Sequence, residues 1–265
     1  MQDLKIAYLQ SDLVWENPIR NRQLFEKKIR ELTDSHDLIV LPETFTTGFP
    51  VDPMLFAETI DGETIKWMRK MVKETGAVIT GSFLLKDSVN FFNTLIWMTP
   101  EGVFERYDKR HVFTMGGEDK NITKGSKKLV VILKGWRICP MICYDLRFPV
   151  WGKNRLDKSG SFEYDLAIYI ANWPSQRSYP WESLLVARAI ENQAYVLGVN
   201  RVGDDGIGNY YSGNSKMIDA RGNVISEIEA GKNESASVII SKKKLTAFRA
   251  KFNVGFDWDN FKITK

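Results

Sequence analysis

Along the chain, short runs of apolar residues alternate with longer stretches in which apolar positions recur every three or four residues. The first pattern predicts strands and the second amphipathic helices. "LKIAYLQ" (4–10) reads as a strand. The stretch from Asn17 to Leu32 reads as a helix, with Asn17 as N-cap and Pro18 at the first helical position. Its apolar face is expected to hold Ile19, Leu24, Phe25, Ile29 and Leu32. "DLIVLPE" (37–43) is apolar without alternation, as in a strand buried on both faces. A second helix is expected over 62–76, ended by Gly76. Strands are expected over 77–85, 93–99 and 102–109, followed by a hairpin over 127–145 that turns at Lys134-Gly135. Another buried strand (165–174) and a third helix (180–193) follow. Segments 194–203, 213–230 and 235–242 finish the chain as strands and turns, with a hairpin at Gly222-Asn223.

Strand–helix–strand alternation with buried strands argues for an α/β fold, and the later hairpins make its sheet mixed. No repeat or flexible linker interrupts the pattern, so one domain over 1–265 is expected. In such folds ligands sit outside the carboxyl ends of the strands. Glu43 follows "LIVLP", Lys109 follows "GVFERYD", Cys143 follows "ICPMI" and Trp173 follows "AIYIAN". Pro140 departs from the pattern: it removes a ladder donor inside the strand before Cys143, which a bulge or a short edge would explain.

Composition narrows the classes. A chain of 265 residues buries roughly three quarters of its unfolded surface and needs no staple. Two cysteines fit a reducing compartment. The N-terminus carries Asp3 and Lys5 within its short apolar run, unlike a signal peptide, and no run approaches the ~18 apolar residues of a membrane span. The cytoplasm is the expected address, and the triplets at Asn121 and Asn233 are chance matches to a glycosylation signal. The net charge of +4 is scattered apart from Lys242–Lys244, so neither nucleic acid nor membrane is an expected partner. His36 and His111 lie far apart in sequence, which leaves them polar surface or core roles and no metal. "GDDGIG" (203–208) does not open a helix after a strand, so it is a poor phosphate loop. Cys139 and Cys143 have no further Cys or His nearby to complete a metal site. On one strand they would share a side roughly 13 Å apart, too far for a disulfide. Cys139 reads as strand packing.

A cysteine attacks a carbonyl as a thiolate or with a base beside it. A carboxylate in an apolar pocket can take that proton, and an ammonium can neutralise the oxyanion. Each residue also has an ordinary explanation. Cys143 could be a small buried hydrophobe, Glu43 a helix cap, and Lys109 in "RYDKRH" part of a solvated turn. Spacing alone leaves these open.

The ordered motifs "LPETFTTGF", "YDKRHVF" and "CYDLRFP", followed by "ANWP" and the segments 181–205 and 211–222, carry the argument further. Together they resemble the nitrilase superfamily of carbon–nitrogen hydrolases over nearly the whole chain. The resemblance implies a four-layer α-β-β-α sandwich and a Glu43–Lys109–Cys143 triad, with Cys143 as nucleophile and Glu43 as general base. Lys109 and the backbone N–H of Tyr144 would form the oxyanion hole. Glu118 matches the family's second acid, orienting Lys109 or positioning water, unless it is an exposed loop acid. No metal or organic cofactor is implied. "CYDLRFPVW" is similar to the ω-amidase branch, which hydrolyses 2-oxoglutaramate or 2-oxosuccinamate. The alternatives are an aliphatic amide, an N-carbamoyl amino acid or a nitrile as substrate, or a non-catalytic binding relative. A 2-oxo acid carries a carboxylate that Arg147 could grip as a bidentate fork, unless Arg147 pairs with Asp145; Arg110 is a second candidate. Phe45, Phe113, Tyr144 and Trp173 could wall a small dry pocket or belong to the core. The resemblance also implies a homodimer, joined through parts of 144–156 and 180–193. Trp181, Leu184, Leu185 and Ala189 would form its apolar face unless that face packs on the sheet. The tail over about 245–265 is expected at the same interface.

Overall fold

A computed structural model describes residues 2–264; Met1 and Lys265, the ends of the expected domain, lie outside the described residues. The first half runs β1 (Leu4–Leu9), α1 (Pro18–Arg30), β2 (Leu38–Val40), α2 (Glu63–Thr75), β3 (Val78–Asp87), β4 (Asn90–Met98) and β5 (Phe104–Asp108). β1, β2 and β3 are parallel, and β4 and β5 return antiparallel. Because strand side chains alternate between faces, each buried strand feeds two cores. Ala7, Leu9, Ile39 and Leu41 pack with Phe25 and Ile29 of α1 and Met68 and Val72 of α2. Leu4, Ile6, Tyr8, Leu38 and Val40 face the other way, into a core shared with the second half of the chain.

That half runs β6 (Val131–Leu133), β7 (Trp136–Ile142), α3 (Pro149–Gly152), β8 (Leu166–Ala171), α4 (Ser178–Asn192), β9 (Tyr195–Asn200), β10 (Val202–Asp204), β11 (Tyr210–Ser212), β12 (Lys216–Ile218), β13 (Val224–Glu227), β14 (Ser235–Ile240) and α5 (Lys242–Lys251). The first sheet has the order β14-β1-β2-β3-β4-β5 and the second β13-β12-β9-β8-β7-β6, with β10-β11 as a separate ribbon. α4 lies so close on β9 that a Cβ at Gly198 would come within 2.4 Å of Leu185 and 2.8 Å of Trp181. The result is the α-β-β-α sandwich with mixed sheets.

Local signals explain the boundaries. Asn17 caps α1 by accepting from the Arg20 amide at 3.1 Å. Gly76 ends α2 at φ 67°. Lys134 (φ 48°) and Gly135 (φ 78°) make the two-residue hairpin turn between β6 and β7. Pro140 needs no bulge: the β7–β8 register runs unbroken through Pro140 opposite Ile168. The edge strand β6 has already ended opposite Ile138, so the short edge is the explanation.

Four features add to the sequence reading or change it. Ile19 is 64% exposed; the buried face of α1 follows the i, i+4, i+8 line of Asn21, Phe25 and Ile29, which Ile19 misses. α5 has no clear periodicity, and only its first residue, Lys242, falls in the segment 235–242 that the pattern predicts as strand. Tertiary contacts hold it: Leu245 is buried, and the Arg249 guanidinium donates to Asp165 at 2.7 Å and to the carbonyls of Gln193 and Tyr164. The tail beyond α5 folds back on its own chain. Trp258 meets Phe162 edge-on at 5.6 Å and carries the Lys153 ammonium 3.9 Å from its ring centroid. Finally, Trp181, Leu185 and Ala189 are buried in the core of their own chain, so a dimer through α4 would meet on its outer side, where Tyr179 and Ile190 are exposed. Among the described residues no helix is long and apolar enough to cross a membrane.

Candidate active site

Strands of both sheets deliver their carboxyl ends to one place. Glu43 follows β2 and Lys109 follows β5, both in the first sheet; Cys143 follows β7 and Asn172 follows β8, both in the second. Two of these exits are turned sharply. Thr44 sits at φ 37° and Cys143 at φ 43°, in the left-handed region that non-glycine residues seldom adopt. The Thr44 turn is held by its amide donating to Ser82 Oγ at 2.8 Å and by Asn172 Nδ2 donating to its hydroxyl at 2.7 Å. Cys143 begins a 3-10 turn over Cys143–Arg147. That turn, not the alternation of β7, aims the thiol, so the expectation that it shares a strand face with Cys139 fails. Cys139 is wholly buried in the core around β7, where burial pushes its thiol up to about 12.

The polar groups form one buried network. Glu43 Oε1 accepts from Lys109 Nζ at 2.8 Å and from Asn93 Nδ2 at 2.8 Å, while Oε2 accepts from the Asn172 amide at 2.7 Å. Lys109 Nζ also donates to both oxygens of Glu118, at 3.1 and 2.9 Å. Glu118 is buried and accepts from the Phe113 amide, so it is not an exposed loop acid. Burial by itself would lower the Lys109 pKa, but the Glu118 and Glu43 carboxylates outweigh it and hold the ammonium above the ordinary lysine value. Burial raises Glu118, against the pull of Lys109 and with the push of Glu43. The Cys143 thiol is raised well above its usual value by burial and then by the adjacent Glu43 carboxylate, with Lys109 opposing. A thiol so raised would need a base in contact to act as a nucleophile. Its sulfur lies 3.9 Å from the Asn172 carbonyl oxygen.

Asp145 ties the two sheets together at this point. Its carboxylate accepts from the Ile142 amide at 3.1 Å, the His111 amide at 2.9 Å and the Tyr107 hydroxyl at 2.7 Å, and sits 2.8 Å from His111 Nδ1. It thus grips the Cys143 turn on one side and both flanks of Lys109 on the other. His111 is stacked on Phe148 at 3.9 Å; His36 is held by Ser237 at 2.8 Å. Replacing Asp145 with alanine leaves those buried donors unpaired and is expected to cost about 3 kcal/mol of stability. Urea unfolding reads the loss, and an unchanged midpoint would show that the clamp carries no energy.

Several candidates move. Asp145 has no room for Arg147, which instead stacks 4.8 Å over the Trp173 ring without a carboxylate partner among the described residues. Arg110 donates to the Gly125 carbonyl and lies 5.2 Å over Trp151, so it is already engaged. Phe45 is wholly buried in the helix-side core, against Phe25 at 5.5 Å and Trp67 at 5.6 Å, and does not wall the site. Phe49 does, 5.7 Å from Lys109 Nζ. Phe113 meets Tyr144 edge-on at 5.1 Å, and Trp173 packs on Trp181 at 5.5 Å. Tyr144 is second in its 3-10 turn, a position whose N–H has no intrahelical acceptor. Asn93, Asn172 and the Asp145 clamp were missed. Asn172 stands in the "ANWP" stretch, a signal that was present. Asn93 had none, because only the β4–β5 pairing sets it beside Lys109, whose amide donates to the Asn93 carbonyl.

Comparison with known proteins adds an independent line. The family model "Carbon-nitrogen hydrolase" matches residues 5–250. The chain is 43% identical over 261 residues to omega-amidase YafV of Yersinia enterocolitica, covering 98% of this chain and 99% of that one. It is 32% identical to 2-oxoglutaramate amidase of Bacillus subtilis, covering 84% and 85%. Its structure is similar to that of XC1258 from Xanthomonas campestris, a CN-hydrolase superfamily protein with an arsenic adduct in the active site. The TM-score is 0.97, with 42% identity over 100% of both chains.

Proposed function

The chain belongs to the carbon–nitrogen hydrolase family and is an amidase; from that premise we propose that it hydrolyses the terminal amide of a small 2-oxo acid, 2-oxoglutaramate or 2-oxosuccinamate, to a carboxylate and ammonia. The observation that carries the chemistry is one buried ammonium joining two carboxylates beside the Cys143 thiol. The substrate class is supported by the omega-amidase relative and by an Arg147 guanidinium that has no carboxylate partner among the described residues.

In the proposed mechanism Glu43 takes the thiol proton as the Cys143 sulfur attacks the amide carbon. The C–S bond forms, and the carbonyl electron pair moves onto oxygen. Lys109 Nζ and the Tyr144 N–H receive that oxyanion. Glu118 keeps the Lys109 ammonium charged and aimed. Protonated Glu43 then gives its proton to nitrogen, the C–N bond breaks, and ammonia leaves a thioester. Glu43 next takes a proton from water, which attacks the thioester carbon. The C–S bond breaks, and the sulfur recovers the proton from Glu43. One carboxyl serves both halves of the reaction.

Ammonia release from 2-oxoglutaramate, glutamine, an N-carbamoyl amino acid and a nitrile tests the assignment. The oxo-acid amide is expected to lead glutamine by about tenfold or more in kcat/KM. Equal use of glutamine would undo the branch but not the family. Carbon dioxide released with ammonia would point to the carbamoyl substrate.

A further inference from the structure

Two half-buried arginines stand beside the thiol turn with no carboxylate partner among the described residues. Arg147 lies 4.8 Å over the Trp173 ring. Trp173 directly follows Asn172, whose carbonyl is 3.9 Å from the Cys143 sulfur. Arg177 ends the short 3-10 turn Ser175–Arg177, and its carbonyl accepts from Trp173 Nε1 at 2.7 Å. Its guanidinium lies 5.4 Å over the ring of Phe113, which meets Tyr144 at 5.1 Å. Both cations therefore rest on aromatic walls adjoining the nucleophile, with their N–H forks unspent. The chain's deeply buried arginines behave otherwise. Arg188 pairs with Glu191, Arg249 with Asp165, and Arg201 donates to backbone carbonyls.

Half-buried like charges that share a site repel each other and have lost part of their hydration, and an anion relieves both costs. A guanidinium stacked on a ring keeps its edge free for a carboxylate or carbonyl oxygen. We infer that Arg177 acts with Arg147 as a two-guanidinium subsite that selects 2-oxo acid amides over 2-amino acid amides. One fork takes the carboxylate, and the other takes the neighbouring 2-oxo oxygen. The same pair repels the ammonium that glutamine carries at that carbon, so attraction and exclusion come from one device. Arg177 is thus a specificity-determining residue. The inference rests on the 2-oxo acid reading for its substrate, but an anion-binding subsite can be read without it.

The test uses Arg177→Met, Arg177→Lys and Arg147→Met. In each Met variant the ratio of kcat/KM for 2-oxoglutaramate to that for neutral pentanamide is expected to fall about tenfold or more, the size of a lost charge-assisted hydrogen bond. The preference over glutamine should shrink with it, and lysine at 177 should restore part of both. A second arm follows alkylation of Cys143 by iodoacetamide, read by intact mass. Glutarate is expected to protect the parent protein and to need about tenfold more concentration in Arg177→Met. A parent enzyme that ignores 2-oxoglutaramate would sink the proposed function, while glutarate protection would still report the subsite. Protection unchanged in Arg177→Met, or equal losses on all three amides, would overturn the inference.

Discussion

Replacing Cys143 with alanine is expected to lower ammonia release by at least about 10⁴-fold, because no other group in the site can carry the acyl intermediate. Cys139, the chain's other cysteine, is sealed in the core with its thiol pushed up by burial. Serine should do little better than alanine. Its hydroxyl is a weaker nucleophile with a higher pKa, and in the proposed scheme Glu43 has a thiol to deprotonate. The change removes one sulfur at the surface of the core, so circular dichroism and the unfolding midpoint should stay near the parent. The intact mass of the parent, quenched during turnover, should show an adduct of the acyl group's mass that the alanine protein lacks. Ammonia released at the parent rate by either variant would end the covalent scheme.

Lys109→Met is expected to damage both activity and stability. One donor to the developing oxyanion is worth about 10²–10³ in rate, and the loss of orientation adds to it. The stability effect has a separate origin. Among the described residues Lys109 is the one cation bonded to Glu43 and Glu118, both nearly inaccessible to solvent. Removing one partner from a buried ionic group costs about 3–5 kcal/mol, since the charges left behind are neither hydrated nor paired. The pH dependence follows from the signs. In the parent, the Lys109 pKa is raised by folding, so its contribution is fully present below the ordinary lysine range and is lost only in strong alkali. In the variant, two facing carboxylates remain, and burial already raises Glu118. Protonating either relieves the repulsion, so the deficit should be largest near pH 8 and shrink toward pH 5. Urea unfolding across that range measures it. A deficit that did not change with pH would mean that the network is not the buried charge triad described above.

Much of the architecture was legible because it depends on local pattern. The N-cap at Asn17, the stop at Gly76, the turn at Lys134-Gly135 and the apolar runs of β2 and β8 each correspond to a structural feature. α5 was illegible because its anchor is Arg249 reaching Asp165, a contact spanning 84 residues that no periodicity encodes. The same division runs through the site. Glu43, Lys109 and Cys143 each end a strand, so strand prediction places them at one edge, and Glu118 joins them through Lys109. Their roles remain part of the proposal. Asn93 and Asp145 act through cross-strand and cross-sheet pairing, which the sequence near them does not reveal. Phe45 failed for a simpler reason. It lies two residues from Glu43, but the left-handed turn at Thr44 sends its ring to the helix side of the sheet.

The acid and the ammonium belong to one sheet, the thiol and Asn172 to the other. The spacing of Glu43 from Cys143 therefore depends in part on the apolar filling between the sheets, on side chains such as Trp97 and Ile142. A displacement near 1 Å can cost about a hundredfold in rate. Natural variation in that filling is thus open to selection as a calibration of turnover. Two related chains with identical catalytic side chains could diverge in speed through a methylene exchanged deep inside, where a comparison of binding residues would find nothing altered.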